Sequence, residues 1–234
     1  MLFVQQDHVS PTGPVGDAFA SRGYDVQEFL VVPEEHFHAP AVVADFPDPL
    51  SYDALVPMGA PWSVYDHDTI GTWIRDEIDF LRKAHEAGVP ILGICFGGQA
   101  LAAALGGAVI PAERPEVGWT TVDTDRPDLV EPGPWFQWHG DRWVLPEGVS
   151  AFARTDLADQ AFTVGRSLGL QFHPELTPSM LDGWLDNGGD EHAAALGIDA
   201  QQLRDETARV ATEATGRATR LVNVFLDRVA TAGR

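Results

Sequence analysis

The chain has 234 residues, 44% of them hydrophobic and 21% charged, which is the make-up of a globular protein with room for one sizeable α/β domain. A formal net charge of −20 repels phosphate backbones and anionic lipid, so neither nucleic acid nor a membrane surface is an expected partner. The single cysteine cannot close an intrachain disulfide, no apolar run nears membrane-spanning length, and no basic leader precedes the brief apolar start, so a cytoplasmic location is expected.

Leu2 to Gln5 reads as a first strand, Pro14 to Arg22 as a helix stopped by Gly23, and Asp25 to Val32 as a second strand. Pro33 to Pro49, rich in proline and acids, reads as an irregular excursion. Glu34, Glu35, His36 and His38 carry metal-binding groups, but a hydrated acidic loop explains them without a ligand cluster. No metal and no cofactor is expected. Ala54 to Val56 is a short buried strand running into the turn Pro57-Met58-Gly59-Ala60-Pro61, and strand C-terminal ends are where open α/β sheets bind ligands. Ile70 to Ala87 is an amphipathic helix, with Ile70, Trp73, Ile74, Ile78, Leu81 and Ala84 at helical spacing.

The next stretch is the most informative. Val89 to Ile94 is apolar with a β-branched bias, and Phe96 to Leu105 is a helix closed by Gly106-Gly107. Cys95 sits at the corner, with glycines at 93 and 97. This is a cysteine version of the G-x-S-x-G nucleophile elbow, a strained turn that exposes its nucleophile. A helix beginning at Phe96 aims unpaired N–H groups and partial positive charge at the sulfur, favouring its anionic, nucleophilic form. The Phe96 N–H is also placed to steady a developing oxyanion. The competing reading is a buried cysteine packed as a small hydrophobe.

Beyond Gly107, Val117 to Asp123, Trp135 to His139, Val149 to Arg154, Ala161 to Val164 and Leu168 to Phe172 read as short strands of an antiparallel or mixed extension. Met180 to Leu185 is helical, Gly188-Gly189 breaks the pattern, and a final helix runs from the N-cap Asp199 to about Val229. Strands alternating with helices predict an open, mostly parallel sheet with helices on both faces and a small antiparallel extension. No repeat or internal boundary stands out, so residues 1–234 are expected to form a single domain, with its core at about 50–190 and C-terminal helices at about 199–231.

A cysteine elbow needs a base. His173, in Gln171-Phe172-His173-Pro174-Glu175, follows a strand, and Glu175 is spaced to hold its other nitrogen. His139, in Trp138-His139-Gly140-Asp141, is the competing base. His8, His67, His85 and His192 are assigned surface or packing roles.

Gly93-Ile94-Cys95-Phe96-Gly97-Gly98-Gln99 together with His173-Pro174-Glu175 resembles the class I, triad-type glutamine amidotransferase family, nearest to proteins similar to the amidotransferase domain of GMP synthetase. The resemblance covers about Ala54 to Pro178 and takes in Gly59 to Asp66 and Trp138 to Asp141. It implies a flavodoxin-like sheet. It also implies that Cys95 attacks the side-chain amide carbon of glutamine, that His173 protonates departing ammonia and then activates water, and that Glu175 orients His173. By the same resemblance Gln99, Trp138 and His139 bind substrate, and the oxyanion hole is formed at Gly59, Ala60 and Phe96. The family usually has glycine where Ala60 stands, and alanine tolerates positive φ poorly, so either the local backbone avoids that region or the hole is less ideal.

Three functional readings follow. The first is glutamine hydrolysis with ammonia passed to a separate acceptor or synthetase subunit. The second is a freestanding hydrolase of γ-glutamyl peptides or amines, which differ from glutamine only in the leaving amine. The third is a binding or regulatory subunit without turnover, against which the intact Cys95, His173 and Glu175 argue.

Overall fold

A computed structural model of the protein describes residues 1–233. Nine strands form one sheet: β1 (Leu2–Gln5), β2 (Gln27–Leu30), β3 (Leu55–Pro57), β4 (Ile91–Ile94), β5 (Ala108–Thr124), β6 (Gly133–Val144), β7 (Ala151–Arg154), β8 (Asp159–Val164) and β9 (Ser167–Leu170). Their spatial order is β2-β1-β3-β4-β9-β8-β7-β5-β6. Pairing is parallel from β2 as far as β9 and antiparallel from β9 onward.

The inner parallel strands β1, β3, β4 and β9 are buried along their whole length because both their faces are covered, whereas the edge strand β2 is mostly exposed. Along β1, Phe3 joins one core layer with Val56, Leu92, Ile94 and Leu170, while Leu2 and Val4 join the opposite layer with Leu55, Ile91 and Phe96. The period of two is therefore present, split between two cores rather than between core and water. The first layer is covered by α1 (Gly13–Ser21), α7 (Ala200–Val224) and the helical turn Phe225–Val229 that continues it, through Phe19, Leu221 and Phe225. The second is covered by α3 (Ile74–Glu86) and α4 (Phe96–Ala104), through Ile74, Phe80, Leu81 and Leu101.

Three boundaries differ from expectation. The helix expected over Ile70 to Ala87 is broken, with a single turn α2 (His67–Ile70) ending at Gly71 before α3 begins at Ile74. Trp73 leaves helical geometry at φ −136°, and its indole donates to Pro40 O at 2.8 Å, pinning the proline-rich excursion. The strands expected over Val117 to Asp123 and Trp135 to His139 are the middles of a much longer hairpin, β5–β6. Its register slips between Pro111 and Glu116, where two prolines interrupt the apolar pattern. The break expected at Gly188-Gly189 holds a kinked turn, Leu185–Gly189, with Gly188 at φ 100°. It joins α5 (Pro178–Trp184) to α6 (Asp190–Ala195), a short helix the sequence pattern does not announce. Asp199 caps α7 as expected, accepting from the N–H groups of Gln201 and Gln202.

Candidate active site

β3, β4 and β9 are neighbours and all end at one rim of the sheet, so the residues just past them converge. Cys95 follows β4. Its backbone stands at φ 49°, ψ −107°, and among the described residues it is the only non-glycine with positive φ. Such a conformation costs about 1–3 kcal/mol and persists only where the surroundings impose it. Here Cys95 N–H is tied to Leu170 O of β9 at 2.8 Å, and Gly97 N–H to Met58 O after β3 at 2.9 Å. A Cβ at Gly97 would stand 2.1 Å from Pro57 O, so the elbow fits against β3 only with glycine there. The Phe96 N–H lies at the first position of α4, beside the sulfur-bearing corner.

His173 follows β9, its N–H held by Phe136 O at 2.9 Å. Its Nδ1 lies 2.7 Å from Glu175 Oε1, and both side chains are buried. Burial by itself would lower the His173 pKa. The charges and hydrogen bonds of Glu175 and Cys95 overcome that and hold it well above the ordinary histidine value. His173 Nε2 is buried and makes no well-formed hydrogen bond, yet the Cys95 sulfur is near enough to favour the protonated ring.

Gly59 fills the corner between these two side chains. A Cβ there would lie 2.9 Å from His173 Cε1 and 3.9 Å from Cys95 Cβ, so any side chain would press on the imidazole. Ala60, next in the turn, does not adopt positive φ, and the strain anticipated for alanine does not arise.

A cavity of about 790 Å³ opens over this rim. Gly59, Ala60, Cys95, Phe96, Gln99, Trp138, His139 and His173 line it, and Glu175 stands behind the His173 ring. Gln99 donates from Nε2 to Asp141 O and to Gln171 Oε1, each at 3.2 Å, which leaves its Oε1 as the free group. His139 is tied down at both nitrogens: Nδ1 lies 2.9 Å from Asp141 O and Nε2 lies 3.1 Å from Glu116 Oε2, though off the line of a good hydrogen bond. Its nitrogens thus lie against Asp141 and Glu116, whereas a nitrogen of His173 is the one beside Cys95. Trp138 packs edge-on to Trp184 and stacks on His192, which places His192 on the cavity wall as well as at the surface.

Two residues at the site escape sequence reasoning. Gln171, fully buried, donates from Nε2 toward Cys95 Sγ at 3.6 Å. Its signal was its place two residues before His173, on the same side of an extended segment. Asp141 accepts from Ser63 Oγ at 2.5 Å and Tyr65 OH at 2.8 Å, and so clamps the loop that continues the Gly59-Ala60 turn onto β6. Among the described residues no group of three or more His, Cys, Asp or Glu is arranged to hold a metal ion.

Residues 21–187 match the family model for glutamine amidotransferase class-I. The chain belongs to that family. It is thus an enzyme of the class I glutamine amidotransferase type, with glutamine-amide hydrolysis as the general chemistry. Among its relatives is the glutamine-hydrolyzing GMP synthase of Thermomicrobium roseum, 38% identical over 141 residues that make up 56% of this chain and 25% of that protein. The corresponding Alcanivorax borkumensis enzyme is 40% identical over 121 residues, 44% of this chain and 23% of that protein. The matched segments thus span about a quarter of these relatives' length. The amidotransferase fold also matches, over nearly the whole chain, a glutamine amidotransferase from Thermotoga maritima (TM-score 0.81, 23% identity, 99% of this chain and 97% of that one). A second, from Methylobacillus flagellatus, gives TM-score 0.82 at 22% identity, over 100% of this chain and 96% of that one. No helix among the described residues is long and apolar enough to cross a membrane.

Proposed function

We propose that this amidotransferase hydrolyses the side-chain amide of L-glutamine to glutamate and ammonia through a thioester on Cys95, with His173 as acid and base and Glu175 as its orienting carboxylate. Cys95 Sγ attacks the amide carbon. The oxyanion is met by the N–H groups of the Gly59-Ala60 turn and of Phe96. His173 passes its proton to the departing nitrogen, then takes one from the water that cleaves the thioester. Gln99, Trp138 and His139 hold the glutamyl part. The observation that most supports this reading is the 2.7 Å contact between His173 Nδ1 and Glu175, because it commits one ring nitrogen and turns the other toward the elbow. Ammonia is then delivered to an acceptor site on a separate synthetase subunit.

A second reading, hydrolysis of γ-glutamyl peptides or amines by the same three residues, is favoured by the cavity, whose volume of about 790 Å³ far exceeds what a glutamine fills. The test common to both is ammonia release from L-glutamine by the purified protein, and covalent labelling of Cys95 by a glutamine-like electrophile. Cys95→Ala is expected to abolish both. Absence of labelling and of turnover in the unaltered protein would refute the proposal.

A further inference from the structure

The same cavity is lined by residues to which the proposed glutamine hydrolysis gives no part, Asp7, Ser10 and Trp184 among them. Beyond the ring stands Trp184, its centroid 4.8 Å from that of His173 in edge contact. Trp184 Nε1 donates to Ser10 Oγ at 3.2 Å, and the Ser10 hydroxyl in turn bonds the carboxyl group of Asp7. Asp7 lines the same cavity although only 3% exposed. The loop that carries it leads into the first residue of α1, which is pressed onto the His173 segment: a Cβ at Gly13 would lie 2.3 Å from Glu175 O. In contrast Gln99 and His139 both bond Asp141, on the β6 wall.

We propose that this end of the cavity, an indole beside a buried acid, is a subsite for a cationic leaving amine, and that the preferred donor is a γ-glutamyl amide of an alkyl diamine. The inference rests on the Cys95 reading above and deepens it by naming the substrate class. His173 gives its proton to the leaving nitrogen, so the leaving amine departs on the side of that ring, where Trp184, Ser10 and Asp7 stand. The local role of Asp7 does not require an acid. Its Oδ1 accepts from Val9 N–H at 2.9 Å in a turn that asparagine makes equally well. Yet a carboxyl group is kept there against the cost of burial, which pushes its pKa up. The neighbouring His8 opposes that cost only in part, and an ammonium group entering the subsite adds counter-charge, while the Trp184 indole attracts the same cation. The net charge of −20 draws cations to the mouth and repels anionic amines.

The reaction balances without a co-reactant. The Cys95–acyl bond forms as the C–N bond breaks, and the His173 proton goes to the leaving nitrogen. Water then adds to the thioester, its proton goes to His173, and glutamate leaves with cleavage of the C–S bond.

The experiment compares kcat/KM for γ-glutamyl-diaminobutane with that for γ-glutamyl-pentylamine, which replaces the terminal ammonium by a methyl group. The expected preference for the cation is about tenfold or more, the scale of one hydrogen bond to a charged group. Asp7→Asn, with an unchanged melting temperature as control, is expected to reduce that ratio to near unity. Equal rates for the two amides in the unaltered protein, a preference for an anionic leaving amine, or a ratio unmoved by Asp7→Asn would each overturn the subsite while leaving Cys95 hydrolysis of glutamine standing. Failure of every donor, with Cys95 unlabelled, would overturn both readings together.

Discussion

Glu77 offers a test of the fold by its proton. It sits on α3, fully buried, with Oε1 accepting from Gln6 Nε2 at 2.7 Å. Its Oε2 and Gln6 Oε1 have no hydrogen-bond partner among the described residues. Burial raises its pKa from 4.5 to about 8, against a smaller lowering by Gln6. An acid held protonated in the fold but ionised when unfolded contributes stability that is full at low pH. That stability is lost as pH rises from the unfolded value toward the folded one. At about 1.36 kcal/mol per unit, the loss between about pH 4 and about pH 7 comes to about 3 kcal/mol. Glu77→Gln keeps the acceptor for Gln6 Nε2 and cannot ionise. Denaturant midpoints of the two proteins across that range should therefore diverge by about 3 kcal/mol, the variant gaining relative to the parent as pH rises. Taking the difference cancels every other titrating group. Parallel curves would show that Glu77 is not a buried neutral acid, and would refute the reasoning.

Other outcomes follow from the site. His173→Asn is expected to lower kcat by orders of magnitude, and His139→Asn to act mainly on KM, because His139 is already engaged at both nitrogens; steady-state kinetics separates them. Glu175→Gln removes the carboxylate that raises the His173 pKa, so the limb of the pH–rate profile belonging to His173 should move to lower pH as kcat falls. Asp141→Ala frees Ser63 and Tyr65 from β6, and should lower kcat/KM about tenfold by loosening the turn at Ala60, with little change in melting temperature.

The elements that were legible in the sequence are those whose signal is local. The first strand, Leu2 to Gln5, is four buried residues in a row, and the elbow is a strand, a cysteine and a helix between glycines. That Cys95 and His173 lie close together was foreseeable because each sits in a compact motif. The remainder depended on partners far along the chain. Gln6 and Glu77 are separated by 71 residues, and Gln171 lies 72 residues beyond Gln99, so nothing beside either marks it as satisfied when buried. The length of β5 was hidden by Pro111 and Pro115, which the bulged hairpin accommodates but which read as a loop. The start of α3 was set by Trp73 turning to reach Pro40, a contact that helical spacing alone does not foretell.

β4 and β9 lie side by side, Ile91 to Ile94 in register with Ser167 to Leu170. One rung of that ladder, about 4.8 Å wide, therefore spaces the strand ends that carry the thiol and the imidazole, while Phe136 O and Glu175 fix the imidazole beyond it. Exchanging core residues on either flank leaves that rung untouched. Heat that opens the ladder should accordingly silence the enzyme, so inactivation should come no later than loss of the far-ultraviolet strand signal.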